Sequence, residues 1–206
     1  MKKSLLFLAA GALAWLATPA TSQSIVGSAH DFSGATWNPT GEICVVCHTP
    51  HKADTSVTDA PLWNHQVTSA TFQVYTSNTL NATVGQPSGV SKLCLSCHDG
   101  TVALDNFGGR TTGTHFVTGN DLIGTDLRND HPISFVYDAA LASADGGLYN
   151  PTTQNSGLGG TIDSDLLFNH RLECASCHNV HNESGVGNLL VKSNGASALC
   201  LTCHAK

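Results

Sequence analysis

Four short units constrain this chain more than anything else in it. They read "CVVCH" (Cys44, Cys47, His48), "CLSCH" (Cys94, Cys97, His98), "CASCH" (Cys174, Cys177, His178) and "CLTCH" (Cys200, Cys203, His204). All eight cysteines of the 206 residues fall in these units, and a histidine follows every pair. Two intervening residues set the sulfurs about one helical turn apart. At that spacing both can bond the vinyl groups of one porphyrin as thioethers, and the next residue turns its imidazole toward the iron. This is the attachment pattern of haem c. Two rivals use the same cysteine spacing: a four-thiolate zinc site built from two pairs, and redox-active Cys-x-x-Cys disulfides. Neither requires a histidine after every pair. A disulfide framework, the default in an exported cysteine-rich chain, leaves the spacing unexplained. The expectation is four covalent haem c groups, with His48, His98, His178 and His204 as proximal iron ligands.

Composition agrees with a core made largely of cofactor. Only 12% of residues are charged and 6% aromatic, while Gly, Ser, Thr and Asn abound. Such a chain has little apolar surface to offset its conformational entropy. Covalent haem would supply the interior and staple the backbone. The expected fold is mostly irregular, with short α-helices at the haem sites and little β-structure. One helix is expected over Ser91 to Asn106. Without haem the chain is expected to be largely disordered, which far-UV circular dichroism would test.

The N-terminus, "MKKSLLFLAAGALAWLATPATSQS", places two lysines before an apolar run from Leu5 to Ala17 and small residues after it. That is the form of a secretory signal peptide over residues 1–22, an uncleaved anchor being the alternative. The run is short for a bilayer span, so an exported protein without a membrane span is expected. The net charge of -6 argues against a nucleic-acid partner.

The remaining residues, 23–206, read as one tetrahaem domain with an internal pseudo-repeat. "ICVVCHTPH" resembles "ECASCHNVH", and "SKLCLSCH" resembles "SALCLTCH". Residues 23–106 would hold the first two haems and 164–206 the last two. Between them, 107–163 shows no sustained helical or strand period and is expected to be a loop-rich link. Asp121, Asp126 and Asp130 lack an EF-hand pattern and read as solvated loop. Asn81-Ala-Thr and Asn182-Glu-Ser fit the glycosylation sequon, a short and common match.

Each iron also needs a sixth ligand or stays open. The single methionine is Met1, so a methionine ligand is excluded once the signal is cleaved. Seven histidines lie outside the motifs. His51 stands three residues after His48, and His181 three after His178. Neither can pass through its own macrocycle to the far face, so each serves a neighbouring iron or none, a propionate contact being the alternative. His65 in "PLWNH", His131 in "NDHPISF" and His30 in "GSAHDFS" complete five distal candidates for four irons, so one is spare. His115 and His170 read as surface or propionate contacts.

At "EICVVCHTPH", "PLWNH", "KLCLSCHDGTVALD", "NDHPISF", "LECASCHNVHN" and "LCLTCH" the chain resembles the doubled Cys-x-x-Cys-His family of multihaem cytochromes. More closely it is similar to tetrahaem outer-surface cytochromes of the OmcE type. The resemblance implies an extracellular electron carrier with bis-histidine haems, assembled head to tail into filaments, with redox partner cytochromes and an extracellular acceptor. It also implies that one axial histidine can come from the adjacent subunit. His30, in an arm near the mature N-terminus, is the candidate, and His204, two residues from the C-terminus, is expected near the surface.

Three functions follow from these residues. Bis-histidine iron has no open position, which favours electron transport without catalysis, by a filament subunit or a soluble periplasmic shuttle. A multihaem reductase would need one five-coordinate iron. A haem-based sensor or docking module would need a signalling element, and none is visible.

Overall fold

In the computed structural model, residues 24–58 and 60–205 are described. The expected signal peptide lies outside them. Within them the chain is mostly turn and loop, with four short α-helices and one two-stranded ladder. The loop-rich class read from the sequence is what the chain adopts.

Helix α1, Gly89–His98, is the longest. It starts two residues before the expected helix and ends at His98, eight residues short of Asn106. The stop is local. Asp99 closes the helix through its N–H to Leu95 O, and Gly100 takes φ +73. A Cβ at Gly100 would also lie 2.6 Å from Leu122 Cδ1, so glycine here serves both the left-handed turn and a close approach. α1 buries more than one face. Leu93 packs with Val57 and Trp63, and Leu95 packs with Phe72 and Leu127.

Strand β1, Phe135–Val136, pairs antiparallel with β2, Arg171–Leu172, in the register Phe135–Leu172 and Val136–Arg171. Helices α2, Ala139–Asp145, and α3, Ile162–Leu166, flank this ladder. The Asp138 side chain caps α2 by accepting from Leu141 N at 2.8 Å. Thr161 and Ser164 form a capping box on α3. The largest apolar cluster collects Phe135, Tyr137, Ala142, Ile162, Leu166 and Leu172. The segment expected as a link therefore contributes four of the six buried residues of this cluster. Helix α4, Cys200–Cys203, is a single turn. Among the described residues no helix is long and apolar enough to cross a membrane.

Candidate functional site

The four motifs take different local forms. The second and fourth lie on α1 and α4, the third on a 3-10 turn over Cys174–Ser176, and the first on a hydrogen-bonded turn in which His48 N–H donates to Cys44 O at 2.8 Å. In each, two cysteines come to one side of a single turn, and all eight thiols are free of disulfides. Burial pushes the thiols of Cys47 and Cys203 up to about 11 and that of Cys97 up to about 12. A nucleophilic Cys-x-x-Cys pair needs the opposite shift, and Cys174, beside the Cys94 thiol, is lowered.

Three motif imidazoles are held alike. Nδ1 of His48 lies 2.7 Å from Pro61 O, Nδ1 of His98 2.7 Å from Asp121 O, and Nδ1 of His178 2.9 Å from Asn188 O. A neutral imidazole that donates from Nδ1 to a carbonyl presents its Nε2 lone pair outward, the arrangement that surrounds metal-binding histidines. The carbonyls come from loops 10 to 23 residues away in sequence. No residue type marks them, so sequence reading alone missed them.

The histidines outside the motifs fall into four groups. His181 stacks opposite His48, with ring centres 6.3 Å apart and planes 14° apart. His30 faces His98 at 6.0 Å, and His131 faces His204 at 6.3 Å. A metal sits about 2 Å from an imidazole nitrogen, which lies about 1.2 Å from its ring centre, so two rings on opposite faces of one ion have centres roughly 6.3 Å apart. Burial, and next to it the charge of His98, pushes His30 down to about 4, so its ring is neutral near neutral pH. Its Nδ1 is buried without a partner.

His65 is the second case. It is fully buried, with Nδ1 2.9 Å from Gln66 O and Nε2 2.9 Å from Ala103 O. Burial pushes His65 down from its ordinary value and so favours the neutral ring, which can donate to only one of these carbonyls, and Cys97 Sγ lies 3.6 Å from Nε2. His51, the third case, is exposed on the turn after the first motif, and among the described residues no second ring stands opposite His178 at the separation of the other three pairs. His115 and His170 face carboxylates instead, His115 Nδ1 at 3.5 Å from Asp105 Oδ2 and His170 Nδ1 at 2.7 Å from Asp163 Oδ1.

The second and third motifs share one junction. α1 packs on the Cys174–Ser176 turn, and Cys174 N–H donates to Ser91 Oγ at 2.9 Å.

Residues 168–206, the third and fourth motifs, match the family described as the doubled CXXCH motif. No curated protein sequence matches the chain. The doubled motif indicates covalently bound haem c, more than one per chain, and with it electron transfer outside the cytoplasm. The residues present fit that group. Thiols stand in pairs, imidazoles are oriented by carbonyls, and three ring pairs are spaced for one iron each.

Proposed function

We propose that the protein is a tetrahaem electron carrier in which every iron has two histidine ligands and none is open to substrate. Four haems would be attached through Cys44 and Cys47, Cys94 and Cys97, Cys174 and Cys177, and Cys200 and Cys203. His48, His98, His178 and His204 would be proximal ligands. The observation that carries this reading is the set of three facing imidazole pairs at 6.0 to 6.3 Å. On this reading His181 would serve the iron of His48, His30 that of His98, and His131 that of His204.

The fourth pair follows from reciprocity. The first and third motifs both carry a histidine at the third position after the motif, and that of the third motif stands opposite His48. His51 then serves the iron of His178. His65 is taken as the spare among the five candidates: it is fully buried beside the Gln66 and Ala103 carbonyls, and among the described residues no motif imidazole pairs with its ring. Haem iron held this way exchanges one electron between its ferric and ferrous states. The chain's own work is to fix both imidazoles of each pair, to aim Nε2 through the carbonyls on Nδ1, and to keep substrate from the metal. A closed ligand set leaves no position for catalysis, so this reading is of a carrier, not an enzyme.

Self-association head to tail into an extracellular filament, exchanging electrons with partner cytochromes and an external acceptor, is the finer part of the proposal. It draws on the resemblance at the motifs. In the pairing above, His30 completes an iron of its own chain, so assembly is not needed for ligation, and a soluble periplasmic shuttle remains the alternative. The test is a mass and a spectrum of the purified mature protein. Four haem additions with only low-spin bands are expected. A high-spin band would point to an open iron and a reductase. Electron microscopy of the same sample separates filaments from discrete particles.

A further inference from the structure

An ion pair with a buried carboxylate and a partly exposed guanidinium stands at the junction of the second and third motifs. Glu173, one residue before Cys174, is 2% exposed. Its Oε2 accepts from Ser134 Oγ at 2.8 Å and from the α1 amide of Ser91 at 3.4 Å. Its Oε1 lies 3.8 Å from Arg171 Nε. That Nε is buried and makes no hydrogen bond, while another guanidinium nitrogen of Arg171 donates to Ser134 O. The carboxylate accepts from α1 and from Ser134, the residue before β1, with Arg171 of β2 beside it, and it stands one residue before Cys174, whose N–H is held by Ser91 of α1.

Simple structural stitching does not account for a full charge here. The Ser91–Cys174 and Ser88–Ser134 hydrogen bonds already join the same segments without it. Removing two charges from water is costly, and apolar residues of similar volume often replace such a pair without loss. Charges near haem set its potential, and in a low-dielectric interior they act strongly over short distances.

We propose that the Arg171–Glu173 pair is a positioning and tuning element for the second and third haem sites. Its two opposite charges balance the potentials of those two sites relative to the first and fourth. This rests on the four-haem reading above. Glu173→Gln leaves the guanidinium uncompensated, which favours ferrous iron and raises the potentials of two sites. Arg171→Gln leaves the carboxylate uncompensated, which favours ferric iron and lowers the same two. The double variant restores both toward their native values.

The experiment is a spectroelectrochemical titration of the holoprotein and the three variants, with haem counted by mass in each. Opposite shifts in two of four components, cancelled in the double variant, are the expected result. Shifts of the same sign in both single variants, or no shift with four low-spin haems intact, would overturn the proposal and leave a structural clamp. If Glu173→Gln fails to assemble, Arg171→Gln and the double variant still decide, because they differ only in the charge at position 173. A native chain without haem at the second and third motifs would overturn the four-haem reading and this one with it. A native four-haem chain whose potentials ignore these residues overturns this one alone.

Discussion

Leu95 and Leu201 occupy the same place in "LCLSCH" and "LCLTCH", yet Leu95 is 1% exposed and Leu201 41%. The serine two residues before each leucine of the opening Leu-Cys diverges as well: Ser91 is fully buried and Ser197 exposed. The motif sequence does not decide this, because the cysteines and histidine are the same. What surrounds it does. α1 runs ten residues between two apolar clusters and under the Cys174 turn. α4 is one turn of four residues, preceded by Ala196 and Ser197 at φ 51 and 63, a left-handed backbone that cannot belong to a regular helix. The chemistry of attachment needs only one turn. Everything beyond it is packing that one copy receives and the other does not.

The largest test of that difference removes the attachment itself. Replacing Cys94 and Cys97 by Ala should abolish folding, because the second site sits under the third and its helix joins two clusters. Replacing Cys200 and Cys203 by Ala should leave a folded chain with one haem fewer. Mass spectrometry counts the haem, and far-UV circular dichroism reports the fold. Equal loss of structure in both would mean that the fourth site is as central as the second.

Next comes the leucine pair. Leu95→Ala deletes a side chain packed by Phe72 and Leu127 and should cost about 2–5 kcal/mol. Leu201→Ala should change stability by about 0.5 kcal/mol or less, as exposed substitutions do. Denaturant unfolding of the two holoproteins measures both. A loss at Leu201 as large as at Leu95 would mean that something covers this face in solution.

The hydroxyls one residue on sharpen the contrast. Ser96 Oγ accepts from the buried amide of Thr68 at 3.0 Å and donates to Lys92 O at 2.8 Å. Ser96→Ala leaves that amide without a partner and should cost about 1–3 kcal/mol. Thr202 Oγ1 accepts from Lys192 Nζ at 3.0 Å, but Lys192 also reaches Ser156 O. Thr202→Ala should cost about 0.5–1.5 kcal/mol, the net worth of an ordinary hydrogen bond, in the same unfolding measurement.

The sequence made the four motifs, the loop-rich class and the short helices legible, because covalent attachment needs fixed residue types at fixed spacing. It left three things hidden, each for a physical reason. The Nδ1 acceptors of His48, His98 and His178 are backbone carbonyls, which every residue has. The apolar cluster at Phe135, Tyr137 and Ile162 is gathered from short runs without a period long enough to register. The pairing of His30 with His98 and of His131 with His204 joins residues far apart in the chain, and spacing carries no information on such contacts. His65 is the instructive case. Beside Trp63 in an apolar run it reads as a ligand, and burial is what that run encodes. The two carbonyls on its ring come from its own loop turn and from Ala103.

The smallest effect concerns the segment after α1. Val102, Ala103 and Asp105 are buried there, and Asp105 Oδ1 accepts from the amides of Thr114 and His115, both at 3.0 Å. Burial alone would raise the Asp105 carboxyl. The hydrogen bonds from His115, with Arg110 beside it, outweigh burial and hold it below its ordinary 3.8. A carboxyl with a lowered folded value contributes stability above the unfolded value and loses it as the pH falls through the folded one. Asp105→Asn does not titrate, so the variant should be less stable than the native chain at pH 7, and the gap should narrow as the pH falls below 3.8. Denaturant midpoints of both proteins across that range measure the gap. A gap independent of pH would mean that Asp105 acts through shape and hydrogen bonding alone, and not through its charge.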